Sequence, residues 1–590
     1  MARKSICARL SERSGWPVSL CLAVICLIRP NFTQGAGTTW DPAASVVSAT
    51  GVIERYHRDL GNLTAAQEAF AAAALRSRPE SIGYHQSSCY PIRSHYPDVA
   101  YSGMALEILG IMEYSWEVQV DGLGFRAPPA DYGEGGSNDL DVYIQDLPAG
   151  IGGFAAFSSY IDETPEADAA SFIVLSSALT QANLRGSATH EFNHCCQNAV
   201  DYWEHMTFKE NTATWVMDRV YDDENAYFFF LRAYQRHPHW AIHKFSTDTT
   251  YQYGECMLLH FLSEYYSGRD GSIIARWWEE CAQNEQFNEP DYMDVLRDLI
   301  PRETRGRDTM ADALREYGIW RYACAGRDDG RHFHDGGAWP DGALVAIDTE
   351  VDAASLPYLG GPVEPPADFG YSFWRLLGQP GDDWLAIEFD GDPAVGWEVT
   401  LIQRTAGPTY LARSMTVTAG RGLLLVGPET LARNEETVLA VLNLSNPEFD
   451  PDGNEDNPRG FTVSINGVRR GDSLSIWSDR PMHGGGDILN LNLDIEHSGG
   501  NMTTQLYVVL ELYGEYLFLS AEPAYPAFTS ATNWFELPLP PDFSVSIPLL
   551  ALELPALPEP LHLTWHAALL QGADLITYAS SKDTLIPQRR

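Results

Sequence analysis

Two histidines four residues apart with a glutamate directly after the first, His190-Glu191-Phe-Asn-His194, form a functional pattern only on a helix. There they lie about 40° apart round the axis and ~6 Å along it, so both imidazoles can reach one metal ion. Glu191 falls on the same face, where it can take a proton from an activated water. Leu184, Ala188 and Phe192 supply the packing side of that helix. A zinc site needs a third protein ligand and an open position. One known arrangement would require glycine three residues and histidine six residues after His194, but Gln197 and Val200 stand there. The other uses a glutamate on a following helix. Lys209-Glu210-Asn-Thr-Ala-Thr-Trp215-Val-Met-Asp218 opens a helical segment one loop downstream. Glu204 and His205 are nearer in sequence but fall in the predicted interhelical loop, so Glu210 is the expected third ligand.

These parts predict hydrolysis. Zinc held by His190, His194 and Glu210 would lower the pKa of a water, and Glu191 would accept that water's proton as it attacks a peptide carbonyl. The oxyanion needs a further donor. Tyr251, Tyr253, His239 and His243 are candidates, with Tyr253 favoured.

His-Glu-Phe-x-His-x-x-Gln, then Glu-x-x-Ala-Thr-Trp, then Tyr253-Gly254, resembles a family of secreted bacterial zinc metalloproteases of gluzincin type. Leu123-Gly-Phe-Arg-Ala-Pro-Pro129, Asp141-Val-Tyr143 and Phe261-Leu-Ser-Glu-Tyr-Tyr266 extend the resemblance over about residues 100–335. It implies zinc on His190, His194 and Glu210, Glu191 as general base, and a protein or peptide substrate. Asn193 departs from the aromatic residue usual in the family, and Cys195-Cys196 from small or aliphatic ones. Thr214 stands where better-known gluzincins carry an aspartate supporting the first histidine, which leaves Asp218 or Glu224 as candidates for that support. The alternative function is a catalytically inactive, metalloprotease-like surface binding or adhesion protein.

Arg3, Lys4, Arg9 and Arg13 precede an apolar run from Trp16 to Ile28, the pattern of a secretory signal peptide, so residues 1–36 are predicted to be removed and the protein to be extracellular or periplasmic. No later stretch reaches the ~18 apolar residues of a membrane span. Cys89, Cys195, Cys196, Cys256, Cys281 and Cys324 would remain, and export would permit disulfides among them. With 39 Lys+Arg against 80 Asp+Glu, the formal charge of −41 disfavours nucleic acid as a partner. Hydrophobic content of 45% argues for folded domains beneath that acidic surface.

The expected fold is multidomain. After a leader or pro-segment (37–84) with a helix over Thr64–Leu75 comes an α+β zincin-like metalloprotease domain (85–340), mainly helical around the site. Two all-β sandwich modules follow (341–470 and 471–590), expected to position substrate or attach the enzyme to a surface. Past Glu350, short apolar runs such as Trp384–Phe389, Val399–Gln403, Val438–Leu444 and Gln505–Leu512 recur between turn signals, as strands do. Asp450-Pro-Asp452-Gly-Asn454-Glu-Asp456 spaces oxygens like a calcium loop but lacks the bidentate glutamate at its twelfth position. Gly133-Glu-Gly-Gly-Ser-Asn-Asp139 reads first as a tight turn and second as a calcium site. Calcium is therefore a lesser candidate beside zinc.

Overall fold

A computed structural model describes residues 47–585, apart from 59–60, 62, 247–248, 283–289, 379–383, 406–408, 428–433, 446–456, 469–472, 479–481, 484–486, 498, 514, 521–527, 542, 555–560 and 573. The predicted signal segment and the calcium-like loop 450–456 lie outside the described residues. No helix among the described residues is long and apolar enough to cross a membrane.

The chain forms two compact units. Of the described residues, one comprises those within 47–202 together with Ala213–Phe229 and Ala282; the other comprises those within Trp203–Thr212, Phe230–Cys281 and 290–585. The first is built on a six-stranded mixed sheet of β1 (Val47–Ser48), β2 (Gly83–Gln86), β3 (Ile92–Tyr96), β4 (Leu140–Gln145), β5 (Ile151–Tyr160) and β6 (Ala169–Ser176), in the order β1-β5-β6-β4-β3-β2. Strands β3, β4 and β6 run parallel, β5 is antiparallel to β6, and β1 is parallel to β5. Every residue of β6 is buried, because both faces of the sheet are covered.

Helices α1 (Thr50–His57) and α2 (Ala65–Ala74) cover one face, where Ile53 and Ala71 join Tyr143, Phe154, Phe172 and Val174 in a single core cluster. A capping box between Thr64 and Gln67 starts α2. Helix α3 (Ser102–Trp116) runs on into a π-helical turn, Glu117–Leu123, which Gly124 ends at a φ of 89°. Helix α4 (Gln181–Asn198) carries the two histidines and packs against β5, β6 and α3. Helix α5 (Met206–Val220) carries Glu210.

In the second unit α6 (Phe228–Arg236), a one-turn segment Tyr251–Gly254, α7 (Cys256–Ser267), α8 (Ser272–Glu280), α9 (Tyr292–Glu303) and α10 (Met310–Tyr322) precede four sheets among the described residues. Two of five strands each lie between Thr349 and Val468, and sheets of three and seven strands lie between Ser473 and Leu585. The predicted runs are strands here: Trp384–Gly391, Trp397–Thr405, Asn434–Asn443 and Met502–Leu512 contain the four named above or nearly so.

The expected fold class is nonetheless corrected. An α+β zincin-like domain followed by two separate all-β sandwich modules is not what forms. The structure has a helical N-terminal part followed by many strands, which pair in four sheets among the described residues, and the first two of these sheets draw their strands alternately from the same stretch of chain. Local periodicity identifies a strand; which strands share a sheet depends on pairing between distant segments, and no local pattern encodes it.

Candidate metal centre

Residues 188–198 of α4 are buried without interruption. This removes the histidines from bulk water and places them among fixed groups. His190 and His194 turn their Nε2 atoms toward one another to 3.1 Å, close to the ~3.3 Å edge of a tetrahedron of nitrogens about a zinc ion. Glu210, wholly buried, completes the group: one ligand atom from each of the three residues lies within 4.8 Å of the others. Two imidazoles and a carboxylate converging at this spacing fit a divalent transition ion such as zinc, leaving a coordination position for water or substrate. Glu204 and His205 are not part of this group; the Glu204 Oε1 instead accepts the His205 backbone N–H at 2.6 Å, and the His205 ring stacks on Tyr292.

A chain of buried amides fixes the tautomer of His194. Its Nδ1–H donates to Gln197 Oε1 at 2.8 Å, which leaves Nε2 with its lone pair for a metal. Gln197 Nε2 donates to Asn193 Oδ1 at 2.6 Å, Asn193 Nδ2 to Gln119 Oε1 at 2.9 Å, and Gln119 Nε2 to the Thr189 carbonyl at 3.2 Å. Each amide is both donor and acceptor, so once His194 donates, every orientation along the chain follows. The chain starts and ends on α4 and passes through the π-helical turn that presents Gln119. Gln197 and Asn193 share the helix with the histidines, and Gln197 closes the sequence pattern. Gln119 lies 74 residues from Asn193, and no sequence signal links it to the site. Of the two residues proposed for histidine support, Glu224 accepts from Arg185 at 2.7 Å, and Asp218 is buried on the helix that carries Glu210.

Glu191 is 1% exposed and accepts a 2.8 Å hydrogen bond at Oε2 from the hydroxyl of Thr50. Its stem crosses β5 where Gly153 has no side chain; a Cβ there would stand 3.2 Å from Glu191 Cγ and 2.9 Å from Leu175 Cδ2. Tyr253 is buried and stacks on Phe230 with ring centroids 4.9 Å apart. The Tyr251 hydroxyl donates to the carbonyls of Trp240 and Ala241 at 3.3 Å. His239 lies 4.0 Å from Glu364, and burial lowers its pKa. The carbonyl of His243 accepts from Thr207.

The loop 133–139 is a turn whose neighbouring carboxylates are neutralised by arginines. Arg78 pairs with Asp131, Glu134 and Asp141, and Arg93 with Asp139. The six cysteines of the described residues are free thiols, five of them buried and Cys89 exposed.

No family model and no curated protein matches the chain. Solved structures resemble it only slightly. A glycosyl hydrolase family 2 member from Bacteroides cellulosilyticus is 12% identical over 36% of this chain and 28% of its own, with a TM-score of 0.15. A β-glucuronidase from glycoside hydrolase family 2 is 10% identical over 35% and 22%, at 0.16. A DUF4785 family protein from Legionella pneumophila is 11% identical over 40% and 63%, at 0.13. The chain thus covers about a quarter of the two hydrolases, and likeness of this size carries no argument about chemistry.

Proposed function

We propose that this protein is a secreted zinc-dependent metalloendopeptidase that hydrolyses a protein or peptide substrate with Glu191 as general base. The observation that carries the reading is the convergence of His190, His194 and Glu210 within 4.8 Å, buried, with a glutamate next to the first histidine in the chain. Zinc held by these three residues would act as a Lewis acid toward water and the peptide carbonyl. Glu191 takes the proton of the attacking water and hands it to the leaving amine as the C–N bond breaks. His194, its Nδ1–H committed to Gln197, keeps a fixed ring orientation throughout. Tyr253 is the favoured oxyanion donor. Export belongs to the same reading and rests on the basic and apolar N-terminal segment.

Zinc content and casein cleavage, measured for wild type and Glu191→Gln, test it. Expected are stoichiometric zinc in both proteins and cleavage reduced by about 10²–10⁴-fold in the variant. A wild type that holds zinc yet cleaves nothing would replace the peptidase with the inactive binding protein. Full activity in Glu191→Gln would remove the mechanism.

A further inference from the structure

We infer that Thr50 is a positioning residue for Glu191 and that the N-terminal segment carrying it is a working part of the site, an inference that rests on the peptidase reading. The segment is seated on the outer side of β5: Val47 N–H donates to the Gly150 carbonyl at 3.0 Å and Ala49 N–H to the Gly153 carbonyl at 2.9 Å. Thr50, the first residue of α1, is fully buried. Its Oγ1 accepts the Ala155 backbone N–H at 2.9 Å and lies 2.8 Å from Glu191 Oε2. An amide N–H can only donate, so the single hydroxyl proton of Thr50 is directed at the carboxylate. In a buried site, away from competing water, such a hydrogen bond is stronger than on the surface.

Glu191 is thereby fixed at both ends. Gly153 on β5 receives its stem, and the hydroxyl on α1 takes one of its oxygens, so a side chain with three rotatable bonds is held in one arrangement before substrate arrives. The far end of α1 is also anchored, because His57 Nδ1 and the Tyr202 hydroxyl, four residues beyond α4, are 2.7 Å apart. Serine at position 50 could make the same two bonds. Valine has the same shape as threonine but can make neither.

The full exported chain serves for the test, with casein as substrate and zinc alone as ligand. Thr50→Val is expected to keep zinc affinity and KM within about threefold while kcat falls about tenfold or more, and Thr50→Ser to return kcat to within about threefold of wild type. In metal-free protein, Thr50→Val, Glu191→Ala and the double variant form a cycle of denaturant unfolding. A coupling of about tenfold in the unfolding equilibrium constant is expected. Additive effects in the cycle, or a kcat that is unchanged or raised in Thr50→Val, overturn the proposal alone when wild type cleaves casein. A wild type that cleaves nothing overturns the peptidase reading, and the positioning role with it.

Discussion

Gln197 settles a question that His194 cannot settle for itself, namely which ring nitrogen carries the proton. By accepting from Nδ1 it leaves Nε2 unprotonated, and Asn193 and Gln119 hold Gln197 in turn. Gln197→Ala should therefore weaken zinc binding by about 10–100-fold, measured by competition with a chromogenic chelator, with little change in the far-UV circular dichroism spectrum. Gly153→Ala tests the other side of the site. Its Cβ would approach the Val174 carbonyl and Leu175 Cδ2 to 2.9 Å, so a loss of about 1–3 kcal/mol in denaturant unfolding is expected. The residues that bear the proposed chemistry were legible because they are close in sequence: His190, Glu191 and His194 occupy one helix, and Glu210 the next. Thr50 and Gln119 were not. They reach α4 across 141 and 70 residues, and a lone threonine or glutamine has no periodicity or spacing that marks it.

Tyr253-Gly254 has a packing role beside the chemical one proposed for Tyr253. The Tyr253 ring stacks on Phe230, and a Cβ on Gly254 would fall 2.5 Å from the Phe230 carbonyl and 2.6 Å from Tyr234 Cβ. The one-turn segment thus packs against α6 at a distance only glycine allows. Gly254→Ala should lower the thermal midpoint, with a cost of about 1–3 kcal/mol read from denaturant titration. Helices were legible where apolar spacing and caps agreed. The predicted Thr64–Leu75 is Ala65–Ala74 between a capping box and its C-terminal cap, whereas α3, Ser102–Trp116, runs on into a π-helical continuation. That continuation depends on a change of hydrogen-bond partner within one apolar pattern, and the pattern itself does not alter.

Taken whole, the protein carries a formal charge of −41, and its buried ion pairs must be read against that excess of acid. Burial by itself would lower the pKa of His332, but Asp329, 2.7 Å away, together with Glu316 and Asp328, holds it above its ordinary 6.5. The imidazolium in turn holds Asp329 below its ordinary 3.8 in spite of burial. The histidine's contribution to stability is complete below about pH 6.5 and is lost as pH rises through the raised folded value. The aspartate's is complete above about pH 4 and is lost as pH falls through the lowered folded value. The difference in unfolding midpoint between wild type and Asp329→Asn should therefore be largest between about pH 4 and 6.5 and shrink toward pH 9. A metal held by His190, His194 and Glu210 would act on the folding equilibrium as well, because these residues of two helices come together only when the chain is folded. Zinc at a hundred times its dissociation constant should stabilise by about 2.7 kcal/mol, and chelation should lower the thermal midpoint accordingly.

By itself the sequence determined the helix that presents His190, Glu191 and His194, the choice of Glu210, and the positions of many strands, since each of these is written in spacings of a few residues. Tertiary structure decided the rest: one mixed sheet beneath the site helix, the four sheets that the later described residues form, the amide chain through Gln119, and the hydroxyl of Thr50 on Glu191. Those features arise from pairing and burial between segments far apart in the chain. They have no local signature, because each partner's own residues are equally compatible with other neighbours until the core closes around them.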